Sequence, residues 1–220
     1  MYVGGGEMLG GNSAFAHIGH YDEIDGEIIA DVGIHRHNPD LSYKSLLGAD
    51  DATVQIVGKA HGDAWHFHGG SPQLPGAPFR SVMTALGDEI GPLPGPDAVG
   101  AGGIINGLYS VHMQALDGIN VGLTGIMLLY DGRILGGDAF FYYLGTYSSI
   151  NGRWKGSFLN QEHTPAKSEH PLFGGLEVGV GFSGTCDDKG ATLEATALVG
   201  KRSIRLMAKL TLMRQGSLST

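Results

Sequence analysis

Histidine carries the most unassigned chemistry in this chain, and it is unevenly placed. Residues 1–90 hold seven (His17, His20, His35, His37, His61, His66 and His68), and the rest of the chain three (His112, His163 and His170). His35-x-His37 and His66-x-His68 each set two imidazoles on one face of a strand, a spacing that ligates Zn²⁺, Ni²⁺ or Cu²⁺ when further donors join. No Cys or carboxylate completes a four-ligand set close by in sequence, although Asp31 shares a face with His35. Because Ile34, Trp65 and Phe67 claim the buried face, both pairs read as outward-facing histidines, and no metal site is expected. His37 and His163 each precede a proline by two residues, at Pro39 and Pro165, which points to a structural hydrogen bond at a strand end.

Other catalytic patterns fail on context. A Ser flanked by glycines at alternate positions does not occur, nor does a paired-His zincin motif. Gly179-Val180-Gly181-Phe182-Ser183-Gly184 satisfies the dinucleotide pattern but lies inside an alternating strand with no helix after it. Cys186 lacks a neighbouring base, and Asp50-Asp51 and Asp187-Asp188 have the character of turn residues. No active site assembles, so the chain reads as non-catalytic and without a cofactor.

The elements that must position these residues are strands. Ile28, Ala30, Val32 and Ile34 alternate with Glu27, Asp31, His35 and the residues between, and Ile204, Leu206, Ala208 and Leu210 alternate with Ser203, Arg205 and Lys209. Period-two patterning of this kind predicts antiparallel strands with one face buried and one wet. Asp25-Gly26, Asp131-Gly132 and Asn151-Gly152 are hairpin turns by residue type, because Asn or Asp before Gly accommodates positive φ. Short helical turns are expected at 42–49 and 169–175.

Met8–Pro39 aligns without a gap to Ile134–Pro165 at a constant offset of 126, with 10 of 32 positions identical. Unrelated segments share roughly two, so this is an internal repeat. The second copy holds about eight strands between 106 and 213, enough to close an up-and-down barrel. The first has only nine residues ahead of Gly10-Gly11, where the second has two strands ahead of Gly136-Gly137. The expectation is therefore an all-β chain of two tandem antiparallel barrels: a truncated repeat at 1–90 lacking its first strands, a Pro/Gly linker at 91–103, and a complete repeat at 104–215. An open edge invites pairing, so homo-oligomeric association is expected.

Composition narrows the partners. Fourteen basic against 22 acidic residues give a net charge of −8, with no Lys/Arg stripe, which disfavours nucleic acid and allows a protein partner. A single cysteine excludes an internal disulfide. The first eleven residues lack a secretory pattern, and no apolar run is long enough to span a bilayer as a helix. A cytoplasmic protein with no membrane partner is expected.

With the copies aligned, "GHYDEIDGEII…HRHNP", "GGDAFFYYLGTYSSINGRWKG…HTP" and "GLYSVHMQALDGINVGLTGIMLLYDGRILGGD" resemble the GrlR-like family of negative regulators of type III secretion. The resemblance implies lipocalin-like (calycin) barrels that dimerise and bind a transcriptional activator, in part through a surface acidic run. That run falls on Asp22, Glu23, Asp25 and Glu27, interrupted here by Ile24 and Gly26 and replaced in the second copy by Ser148, Ser149 and Asn151. The residues by themselves describe a solvated hairpin tip, since exposed turns are usually acidic or polar without a partner. An alternative function is a carrier of a small apolar ligand, with Phe141, Tyr143, Tyr147, Trp154 and Phe158 lining the second barrel. Inward glycines such as Gly145 and Gly156 would make room for a ligand, and large neighbours folded over them would remove it.

Overall fold

A computed structural model describes residues 1–86, 98–116, 122–165 and 177–216. The chain divides into two units, one within residues 1–89 and the other within 90–217. Both are antiparallel and all-β.

The first unit is a seven-stranded sheet in sequential order: β1 (Tyr2–Gly4), β2 (Glu7–Gly11), β3 (Phe15–Ile24), β4 (Glu27–Arg36), β5 (Asp51–His61), β6 (Ala64–Ser71) and β7 (Leu74–Thr84). The second contains β8 (Gly107–Ala115), β9 (Gly122–Tyr130), β10 (Arg133–Gly137), β11 (Phe141–Ile150), β12 (Arg153–Glu162), β13 (Val178–Cys186), β14 (Gly190–Val199) and β15 (Arg202–Gln215). These eight strands close into a barrel in which β8 pairs with β15 on one side and β9 on the other.

The repeat is a repeat of structure. Adding 126 to the ends of β2, β3 and β4 gives the ends of β10, β11 and β12. The register follows: Gly19 faces Val32 as Gly145 faces Phe158, and Ile24 faces Glu27 as Ile150 faces Arg153. Asp25 and Gly26 have φ of 52° and 78°, and Asn151 and Gly152 have 51° and 71°, the paired positive values of a two-residue hairpin turn. Gly5-Gly6 does in the first unit what Asp131-Gly132 does in the second.

Alternation places the cores. Ile28, Ala30, Val32 and Ile34 of β4 pack with Val54, Ile56 and Phe67 in the sheet, and Leu193, Ala195, Leu206, Ala208 and Leu210 line the barrel. Gly19 and Gly145 sit where the backbone of the paired strand comes close. A Cβ would lie 2.4 Å from the carbonyl oxygen of Asp31 at Gly19, and 2.2 Å from that of Ser157 at Gly145.

Two sequence expectations need correction. The first repeat is an open sheet and not a barrel, because among the described residues no strand occupies the place that β8 fills in the second. Residues 42–49 form turns and bends without a helix, organised from outside by Arg36, whose guanidinium reaches the Tyr43 carbonyl at 3.1 Å and Asp50 at 2.5 Å. The turn expected at 169–175 lies outside the described residues, as do positions 91–97 of the expected linker. Residues 98–103 run beside the β11–β12 turn, with Ser149 N–H donating to the Ala98 carbonyl at 2.8 Å and Asn151 N–H to Ala101 at 2.9 Å.

Candidate functional site

One side-chain arrangement occurs twice, where β3 begins and β4 ends and again where β11 begins and β12 ends. In the first unit Asn12 Oδ1 accepts the N–H groups of Ala14 and Phe15, both at 2.9 Å. In the second, 126 residues on, Asp138 Oδ1 accepts those of Phe140 and Phe141 at 2.7 and 2.9 Å. His37 Nε2 bonds the Asn12 carbonyl at 3.0 Å, and His163 Nε2 the Asp138 carbonyl at 3.4 Å. His37 N–H meets the Ala14 carbonyl and His163 N–H the Phe140 carbonyl, each at 2.8 Å. The matched histidines are thus structural: each ties the end of one strand to the Asx turn that opens its neighbour.

The histidine pairs divide accordingly. β4 ends at Arg36, so His37 turns back to Asn12 while His35 faces outward, its Nδ1 2.9 Å from Asp51 Oδ1. They do not share a face, and the sequence reading is corrected there. Asp31, the fellow donor, instead accepts Gln55 Nε2 at 2.9 Å. His66 and His68 do stand together on the exposed face of β6. Among the described residues no three His, Cys, Asp or Glu side chains gather around a point that could hold a metal ion.

The acidic candidates stand on the β3–β4 hairpin. Asp22, Glu23 and Asp25 are exposed, and among the described residues none has a side-chain hydrogen bond or ion pair. Glu27 is partly buried and pairs with Lys59 at 2.6 Å. Ile24, at the centre of the run, is 51% exposed. The hairpin therefore carries three unpaired carboxylates and one exposed aliphatic side chain near its tip, with Asp22 and Glu23 on opposite faces of β3.

This hairpin belongs to a wider asymmetry that sequence reading missed. Residues 1–89 contain 12 acidic and four basic side chains, whereas residues 90–220 contain ten of each. The whole net charge of −8 therefore sits in the first part of the chain. The signal was a plain count, but it emerges only when the chain is divided before charges are summed.

The aromatic candidates Phe141, Tyr143, Tyr147, Trp154 and Phe158 all face the barrel interior and belong to its core. Tyr143 contacts Phe158 at 5.8 Å between ring centroids, Phe158 contacts Phe182 at 6.2 Å, Phe182 contacts Trp154 at 4.6 Å, and Trp154 contacts Tyr147 edge-on at 6.1 Å. Inward glycines make room for these rings. A Cβ on Gly145 would lie 2.6 Å from Phe158 Cβ, and one on Gly156 would lie 3.0 Å from Phe182 Cζ. The large neighbours do fold over the glycines.

Polar groups inside are few. Tyr143 donates to Asp138 Oδ2, and Trp154 Nε1 donates to the Thr192 carbonyl at 2.9 Å. Burial, then the Asp138 charge, hold the Tyr143 phenol well above its ordinary pKa, and burial raises Tyr147 and Tyr109 too. Of the three, Tyr143 donates to Asp138 and Tyr109 donates to the Ile105 carbonyl at 2.5 Å. The Tyr147 hydroxyl and Asn160 Nδ2 are buried without a partner. Cys186 is buried with its Sγ 3.5 Å from Ser149 Oγ.

The chain matches no protein-family model and no curated protein. Among the described residues no helix is long and apolar enough to cross a membrane.

Proposed function

We propose that this chain is a non-catalytic, cytoplasmic protein-binding regulator whose acidic first unit engages a protein partner. The observation that carries this reading is the segregation of charge, focused on the unpaired carboxylates of Asp22, Glu23 and Asp25. An excess of eight negative charges on one small unit raises encounter rates with a basic surface and disfavours contact with nucleic-acid phosphates. By resemblance to GrlR-like, lipocalin-like regulators, the partner is a transcriptional activator held away from DNA through the protein's β-sheet surface, with no membrane involved. Self-association belongs to the same proposal. The test is affinity capture from a lysate: wild type recovers a basic protein, and the combined Asp22→Lys, Glu23→Lys and Asp25→Lys variant does not. Equal recovery by both would end the acidic-hairpin reading.

A carrier role for the closed barrel draws on one observation, the buried and unpartnered Tyr147 hydroxyl and Asn160 amide. A ligand with an apolar body and polar ends would satisfy them. Its body would have to displace rings already packed on the inward glycines. Extraction of a stoichiometric small molecule from purified barrel, lost in Tyr147→Phe with Asn160→Leu, would support this role, and an empty extract would remove it.

A further inference from the structure

The two repeats part company along one strand edge. In β15 the inward residues Leu206, Ala208 and Leu210 are 0, 2 and 1% exposed. β8 lies beside them, with Ala115 opposite Leu206, Met113 opposite Ala208 and Val111 opposite Leu210. Cross-strand register identifies the same positions in the first unit. Gly69 faces Phe79 as Ala195 faces Leu206, Phe67 faces Ser81 as Leu193 faces Ala208, and Trp65 faces Met83 as Ala191 faces Leu210. Phe79, Ser81 and Met83 are only partly buried, and their outward neighbour Val82 is 60% exposed.

Nothing among the described residues pairs with the far side of β7, whose strand partner is β6 alone. The strand is 11 residues long, so its unpaired N–H and C=O groups form a long template for another strand. Prolines at 75 and 78 blunt its beginning, which leaves Phe79–Thr84 as the accepting stretch. Charge there is opposite to that of the rest of the unit. Ala64–Leu86 contains no carboxylate, while His66, His68 and Arg80 are exposed on the outward face, with His68 directly opposite Arg80.

We propose that the free edge of β7 is a strand-acceptor site, and that its occupant is an extended segment of a partner protein. That segment carries large apolar side chains at every second position and acidic ones between them. The apolar set lies beside Phe79 and Met83, as Tyr109, Val111 and Met113 of β8 line the barrel beside β15; the acidic set meets Arg80 and His68. Backbone hydrogen bonds supply affinity, and the alternating side chains fix register. The inference deepens the protein-binding reading and rests on it, but it places this contact on a different edge from the β3–β4 hairpin.

The probes are nine-residue peptides added to the full chain. One has the sequence of Gly107–Ala115, one adds His112→Glu and Gln114→Glu, and a control adds Tyr109→Asp, Val111→Asp and Met113→Asp. Saturable binding by the first is expected, tightened several-fold in the acidic version at low salt and weakened by about tenfold or more in the control. Amide exchange should slow at Phe79–Thr84 on binding. Protection elsewhere, no binding, or protection without peptide that grows with protein concentration would overturn the proposal, the last by giving the edge to a second copy. The Asp22→Lys, Glu23→Lys, Asp25→Lys variant separates the two sites. Peptide binding kept in that variant while lysate capture is lost leaves both proposals standing, and peptide binding lost in wild type while capture survives removes the edge alone.

Discussion

Asn12 and Asp138 do the same work in the two repeats, and their difference is informative. Each side chain caps two backbone N–H groups, but only Asp138 also accepts the hydroxyl of buried Tyr143. Asn12→Ala should cost the first unit about 1–2 kcal/mol, the usual cost of losing such a cap. Asp138→Ala should cost the barrel about 2–3 kcal/mol, because it also strands a buried phenol. Denaturant unfolding of each variant checks the order, and equal losses would contradict it. His17 offers a second test on the inward side of β3. Burial first, then the terminal amine and His37, push its pKa from 6.5 down to about 4. The unfolded chain therefore binds more protons between those values, so the stability held above pH 6.5 is lost progressively as pH falls toward 4. His17→Gln should flatten that part of the stability curve relative to wild type, and parallel curves would show that His17 is not held neutral by the fold. The structural histidines were legible in the sequence because His37 and His163 recur in the same context. Their Asx partners were not, because Asn12 and Asp138 are similar rather than identical. His35-x-His37 was misread because strand spacing says nothing about where the strand stops.

At the scale of elements, alternation was a sufficient guide to the strands. The apolar residues of β4 and β15 read the same in sequence and in the core because each strand has one wet face. The glycines were legible as turns where Asp or Asn precedes them, at Gly26, Gly132 and Gly152. Inside strands they were legible only as candidates for extra space. Gly19 and Gly145 instead mark close approach of a neighbouring backbone, 2.4 and 2.2 Å from where a Cβ would stand. Gly19→Ala and Gly145→Ala should each destabilise their unit by about 3 kcal/mol or prevent folding, since a backbone carbonyl cannot yield as a side chain can. Gly181→Ala, on the outward face of β13 with nothing within 4 Å of the new Cβ, should stay within about 0.5 kcal/mol of wild type. Thermal unfolding of the three variants distinguishes close approach from mere turn chemistry. If Gly145→Ala matched Gly181→Ala, the packing described for the barrel wall would be wrong.

At the scale of the whole molecule, one strand decides the architecture. β8 joins β9 to β15, and among the described residues the first repeat has no counterpart to it and is an open sheet. The internal match and the nine residues ahead of Gly10-Gly11 made a missing strand and an open edge legible, but not whether the shorter sheet would still close. Charge divides along the same boundary, with a neutral second part and an acidic first part. Partner capture by the first unit should accordingly weaken as salt rises from about 0.05 to 0.5 M, since exposed charges are screened over ever shorter distances. A salt-independent capture would point to apolar contact instead. The most direct measurement compares lysate capture by wild type with capture by the Asp22→Lys, Glu23→Lys, Asp25→Lys variant, with bound proteins identified by mass spectrometry. A basic, DNA-binding protein recovered by the first and lost by the second is the predicted result. The same proteins recovered equally by both would contradict the account, because the unpaired carboxylates of the β3–β4 hairpin would then be no more than a solvated turn.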